Sequence, residues 1–300
     1  MSLPQRATVV PLRPRRSTAR AAWAALRPRQ WSKNLLLFAG IVFAAKLGDP
    51  SRWAQAVAIF VAYCAASSAA YIVNDLRDVE HDRAHPIKRD RPIARGELTV
   101  ELALVLAAAL ALAALGIAAA LGYASLVLLV GFIALQLGYS LGLKRIVLVD
   151  VAVIAGLFVI RAAAGAAAVD VRISPWLLLC TALLALFLAL AKRRGELLLE
   201  DAPGRPVLEG YTPALVDQLV SVVAASTIIA YSLYTFTAHS TAMMLTIPFV
   251  VFGVFRYLLL VHRNAAGEEP ETVLYSDLPI LACVAAWAVT AAVVLAVSGA

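Results

Sequence analysis

The chain has 300 residues, 62% hydrophobic and 15% charged, and its 26 basic and 19 acidic side chains give a net charge of +7. Soluble domains run at roughly 45–50% apolar and 25% charged. A water-soluble enzyme is therefore excluded, because too few polar residues remain to cover an exterior.

The first 22 residues are basic and rich in Pro and Arg, a composition expected to stay disordered on the cytoplasmic face and to touch anionic headgroups. Residues 23–300 form a single transmembrane domain. Eight basic residues and no acid precede Asn34; this does not fit a cleavable signal peptide and puts the N-terminus in the cytoplasm. Trp23 and Trp31 read as interfacial anchors.

About 20 apolar residues cross a hydrocarbon core roughly 30 Å thick. A short first helix is expected over 34–45 and a second over 53–73. The stretch 102–143 would be about 63 Å long if wholly helical, so it must fold back, near Gly122 and Tyr123. Spans over 146–168 and 173–191 follow, the run 218–255 splits near His239, and 278–300 supplies the last. Nine crossings put the C-terminus outside. Of the 26 basic residues 22 then face the cytoplasm, Lys46, Arg52 and Arg172 lie outside and Arg161 lies within a span. Such asymmetry in a plasma-membrane protein explains the net charge with no nucleic-acid partner. Cys64, Cys180 and Cys283 sit singly in apolar stretches and read as helix packing.

The second span ends in Asn74-Asp75-Leu76-Arg77-Asp78-Val79-Glu80-His81-Asp82. If the helix continues, Asp75, Asp78 and Asp82 form one stripe with Asn74 beside Asp78. Three carboxylates on one face repel, which calls for a cation between them. Hard oxygen donors favour Mg²⁺. A solvated acidic helix end balanced by Arg77, Arg83 and Lys88 is the plainer alternative, but the basic loop that follows, from Lys88 through Arg91 to Arg95, supplies cations for phosphate. Zinc on His81 and His85 lacks any Cys in support, and His85 more naturally shapes the turn before Pro86.

Asn74 to Asp82 resembles the N-D-x-x-D-x-x-x-D motif of the UbiA-type intramembrane prenyltransferase superfamily, and Arg91-Pro92-Ile93 resembles its following R-P-I segment. The resemblance implies an all-α membrane protein, a bundle of about nine transmembrane helices with a central cavity facing the cytoplasm. Typical members carry a second aspartate-rich motif on the sixth span. Here Lys192-Arg193-Arg194-Gly195-Glu196 stands instead, a basic start that suits a substrate with an additional anionic group. Together with the segments from Arg27 to Asn34, Tyr71 to Asp75, Gly142 to Lys144 and Ile160 to Ala162, this resembles the decaprenyl-phosphate phosphoribosyltransferase branch. Gly267 to Glu271 is similar to a further acidic loop of that branch.

The branch implies transfer of the 5-phosphoribosyl group from phosphoribosyl pyrophosphate (PRPP) to decaprenyl phosphate, Mg²⁺-dependent, for arabinan cell-wall synthesis. Asp75, Asp78 and Asp82, with Asn74, are then expected to hold Mg²⁺ against the diphosphate and to be catalytic. Gln30, Lys33, Asn34, Lys88, Arg91, Tyr139, Lys144, Lys192 and Arg193 are expected to bind substrate. A central Arg costs roughly 2.5–3.5 kcal/mol to insert. Arg161, on the face of Asp150, is therefore expected near the lipid phosphate or ribosyl group and counts as catalytic. Partners are PRPP, a polyprenyl phosphate and the membrane; a homo-oligomer stays open. The competing readings are a conventional prenyltransferase acting on an aromatic or quinone precursor, and a transporter using Asp150 and Arg161 as an ion path.

Overall fold

The computed structural model describes residues 15–43, 48–85, 88–172, 174–198, 206–237, 241–263 and 276–297. Helix α1 (Thr18–Ala25) is capped by Ser17, whose side chain accepts from the Arg20 N–H. A 3₁₀ stretch, Pro28–Phe38, runs into the short α2 (Ala39–Phe43). The long α3 (Pro50–Arg77) starts at Asp49, whose carboxylate accepts from the Ser51 N–H at 2.9 Å, with Pro50 preset for the first turn. After α4 (Val79–Ala84) come α5 (Val100–Leu121) and α6 (Tyr123–Leu141). Then follow α7 (Val149–Ala168), α8 (Pro175–Leu197), α9 (Pro213–Thr237), α10 (Ile247–Arg263) and α11 (Leu278–Val297).

Among the described residues seven helices are long and apolar enough to span a membrane, the seventh counted over Thr241–Arg263. The chain is a multi-pass membrane protein. The fold-back expected near Gly122 occurs there: Gly122 alone joins α5 to α6 at φ 123°, a conformation that side-chain-bearing residues rarely reach. The break expected at His239 falls outside the described residues, between α9 and the 3₁₀ turn Thr241–Thr246. So do Lys46 and the 267–271 loop.

The first expected helix differs. Pro28–Phe38 is 3₁₀ rather than α, begins six residues before Asn34, and buries Asn34 and Leu37 against the bundle. Its close approach to α7 depends on two glycines. A Cβ on Gly165 would overlap the Leu37 carbonyl, and one on Gly40 would lie 2.7 Å from Ala166 Cα. Small residues let backbones touch where lipid gives helices no hydrophobic reason to associate.

Helices α3 and α7 are the most enclosed spans, whereas most of the α5 and α6 surface is open to the surroundings. Tyr63, Phe132, Leu37, Ile59 and Leu129 form the core between α3, α6, α7 and the 3₁₀ stretch. A second core, around Phe187, Tyr257 and Val220, joins α8, α9 and α10.

Candidate functional site: an aspartate mouth above a buried arginine

Asp75 lies in the last turn of α3 and is 3% exposed. The helix stops at Asp78, which takes φ −96° and ψ 11° and is exposed, and α4 begins at Val79. The expected single stripe of Asp75, Asp78 and Asp82 is thereby revised, since its premise was a continuing helix. Asp82 is buried and shares Arg91 with Asp75, while Asp78 stays at the surface. Among the described residues no three Asp, Glu, His or Cys side chains converge as a metal cluster.

Guanidinium groups take up the two buried carboxylates. Arg91 Nη1 donates to Asp75 Oδ1 at 3.2 Å and to Asp82 Oδ2 at 2.6 Å. Arg91 is positioned by its neighbour Ile93, which is buried among Ile72, Leu98 and Ala103. Arg27 Nη2 reaches the same Asp75 oxygen at 2.5 Å, with its guanidinium 4.9 Å from the Tyr71 ring centre. Sequence reasoning counted Arg27 among the cytoplasmic cations and within the Arg27 to Asn34 segment, but gave it no role at the site. Its backbone φ of 53° turns the chain from α1 into the 3₁₀ stretch and aims its side chain at α3, and nothing in residue order announces that.

The donor set suits Mg²⁺: two buried carboxylates share one cationic nitrogen, so a cation is already accepted between hard oxygens, and the Asn74 side chain is one residue away. Around the mouth Lys88 is exposed, and Lys33 Nζ donates to Gln30 Oε1 at 2.7 Å within the 3₁₀ stretch. Lys144 is half-buried in the 3₁₀ turn Leu143–Arg145. His85 does shape its turn, its ring Nδ1 accepting from the Lys88 N–H at 3.3 Å.

Arg161 is buried in α7. Its Nε donates to Asn34 Oδ1 at 2.8 Å, its Nη1 to the Leu157 carbonyl at 3.0 Å, and its guanidinium carbon lies 4.6 Å from the centre of the Phe132 ring and 5.4 Å from that of Phe158. No carboxylate meets it among the described residues. Tyr63 stacks on the same Phe132 ring at 4.9 Å, and its buried hydroxyl has no hydrogen-bond partner among them either. Asn34 in turn donates to Cys64 Sγ at 3.3 Å, so the amide is oriented with its oxygen toward Arg161.

Arg193 is placed otherwise than expected. It is 1% exposed, Nε donates to Asp150 Oδ2 at 2.6 Å, and Nη1 pairs with Glu196. Two carboxylates commit its charge inside the protein, leaving only a long 3.4 Å contact from Nη2 to the Tyr139 hydroxyl. Asp150 also accepts from the Tyr211 hydroxyl at 2.7 Å. Burial first, and then the Asp150 carboxylate, push the Tyr211 phenol up to about 12, so it remains a donor. The Asp150–Arg193 pair spans 43 residues, and its one sequence signal was an intramembrane acid needing a cation. Lys192, next along α8, is half-buried.

The chain is 37% identical over 277 residues to the decaprenyl-phosphate phosphoribosyltransferase of Corynebacterium glutamicum, covering 88% of this chain and 83% of that protein. It is 34% identical over 283 residues to that of Mycolicibacterium smegmatis, covering 88% of each. The fold is similar to that of a UbiA homolog from Archaeoglobus fulgidus bound to GPP and Mg²⁺, with a TM-score of 0.72 and 17% identity, over 92% of this chain and 99% of that one. The UbiA prenyltransferase family model matches residues 35–277, from the 3₁₀ stretch beside Arg161 to the edge of α11, and the chain belongs to that family.

Proposed function

We propose that this protein transfers the 5-phosphoribosyl group of PRPP to a polyprenyl phosphate, decaprenyl phosphate in the first instance, with release of diphosphate, and does so with Mg²⁺. The carrying observation is Arg161, a cation in the middle of the bundle with no carboxylate to answer it among the described residues. An anionic acceptor supplies the missing charge; a neutral quinone precursor does not. The 34–37% identity to decaprenyl-phosphate phosphoribosyltransferases supports the same reading.

In this reading the diphosphate lies at the cytoplasmic mouth. Asp75 and Asp82, with Asn74 beside them and Asp78 at the exposed rim, would hold the metal, which would supply Lewis acidity and neutralise the leaving diphosphate. Arg91 and Lys88 take phosphate oxygens, the first by a planar fork and the second as a point charge. Lys33, Lys144 and Lys192 complete the cationic rim, and the Gln30 amide, which accepts from Lys33, joins them in binding substrate. Arg193 acts from behind, holding Tyr139 and Glu196.

Arg161 and Asn34 orient the acceptor phosphate. That group is already anionic at neutral pH, so no side chain need remove a proton. Catalysis is then positioning and charge stabilisation. The lipid phosphate oxygen forms a bond to ribose C1 as the bond from C1 to the diphosphate oxygen breaks. Positive charge building at C1 is offset by the neighbouring carboxylates, and a single displacement inverts the anomeric centre. Nine crossings, with the first 22 residues as a cytoplasmic tail, the C-terminus outside and a cavity open to the cytoplasm, complete the proposal.

The test is incubation of purified protein with PRPP labelled in the ribose, polyprenyl phosphate and Mg²⁺. Label should move to the lipid fraction, and Asp75→Asn should stop it with the protein still folded. Label moving instead from a prenyl diphosphate to an aromatic acceptor would replace this reading with the conventional one.

A further inference from the structure

We propose that Arg27 and Arg91 are resident counter-cations of the aspartate mouth, so that a divalent metal enters only together with a diphosphate, which takes over the two guanidinium groups. The inference rests on reading the mouth as a diphosphate site. Asp75 Oδ1 accepts from Arg27 at 2.5 Å and from Arg91 at 3.2 Å, and the same Arg91 nitrogen reaches Asp82 at 2.6 Å. Two buried carboxylates thus carry two guanidinium groups, and the cluster is formally neutral.

A divalent cation arriving alone would have to break these pairs and would leave two positive charges in excess where water is largely excluded. A metal–diphosphate complex brings its own negative charge. The metal meets the aspartates, and each released guanidinium finds phosphate oxygens that suit its fork. The complex leaves only a small net negative charge, which the surrounding cations offset, whereas the bare ion adds positive charge beside two arginines.

Arg27 is placed for that exchange. It is held in a left-handed conformation unfavourable to any residue bearing a Cβ. It borders an open groove of about 330 Å³ lined by Ala24, Arg27, Pro28, Arg29 and Gln30. About a quarter of its side chain remains accessible, while Asp75 is enclosed. A ligand in the groove meets Arg27 before it meets Asp75. The arrangement makes Arg27 a donor-binding residue that selects the loaded donor over the free metal.

The test uses the full-length protein in nanodiscs, with Mn²⁺ as the metal probe and inorganic diphosphate as the anion. Free Mn²⁺ is followed by electron paramagnetic resonance, and diphosphate binding at saturating Mn²⁺ by calorimetry. Arg27→Gln and Arg91→Gln should each tighten Mn²⁺ binding without diphosphate by about two- to fivefold, the scale of a partly exposed ion pair. Each should also weaken diphosphate binding. Asp75→Asn should lose Mn²⁺ in both the wild-type and Arg27→Gln backgrounds, which ties the signal to the mouth.

The opposite signs are the signature, since a purely structural arginine would lower both affinities or neither. Arg27→Lys keeps the charge and should retain a near-wild-type Mn²⁺ affinity; it serves with Arg91→Gln if Arg27→Gln does not fold. Mn²⁺ affinity unchanged or lowered in the two glutamine variants overturns the proposal. Failure of the phosphoribosyl reading would look different, with the metal data as expected and no label passing from PRPP to lipid.

Discussion

Arg193 and Arg161 are both buried arginines on neighbouring spans, yet one is surrounded by carboxylates and the other by an amide, a carbonyl and aromatic faces. The first has its counter-charge built into the fold. The second has none among the described residues, and a buried charge without an opposite charge is costly, which is why the proposed reading gives Arg161 an anionic ligand. Charge at a site therefore says less about function than whether the protein has already answered it.

Breaking the answered pair should have the largest effect. Arg193→Met takes the guanidinium away from the buried Asp150 carboxylate, and loss of about 3–5 kcal/mol of stability is expected, read as a lowered thermal midpoint in detergent. Adding Asp150→Asn to that variant should recover most of the loss, and a strictly additive double variant would show that the pair is not coupled. Arg161→Met should do the reverse. Transfer to lipid phosphate should fall by about 10²–10³, as for removal of one transition-state donor, with the thermal midpoint unchanged or raised. A stability loss with transfer intact would put Arg161 in the same class as Arg193.

Smaller changes sharpen the contrast. Tyr211→Phe removes the phenol that donates to Asp150 and accepts from the Leu148 N–H at 2.8 Å, so about 1–3 kcal/mol is expected from the unsatisfied groups. The smallest effect is alkaline. The Tyr211 pKa is raised from 10.0 to about 12 in the folded protein. Its contribution is therefore complete below pH 10 and is lost as pH rises through about 12. Tyr211→Phe should remove that segment of the stability–pH curve, and an identical curve in the variant would deny the assignment.

The spans were legible because apolar length and a lone glycine are local signals: Gly122 marks the α5–α6 turn by its lack of a side chain. Asp75 and Asp82 were legible as a pair near a basic loop. The break at Asp78 was not, since residue spacing cannot tell a continuing helix from one that turns. Nor were the partners of the buried arginines. Asn34 and Arg161 are 127 residues apart, and Asp150 and Arg193 are joined only when α7 packs on α8. The helical period did put Asp150 and Arg161 on one buried face of α7, but a period names faces and not which neighbour fills them.

Gly165 lies one turn beyond Arg161, pressed against the Leu37 carbonyl, and Asn34 stands one 3₁₀ turn before Leu37. The spacing between that amide and that guanidinium is thus fixed by the thickness of a hydrogen atom at a place with no charge at all. An added methyl at Gly165 or Gly40 would wedge the entry segment off α7 and, in the proposed reading, retune acceptor affinity from a distance, leaving every polar residue of the centre in the sequence but out of reach.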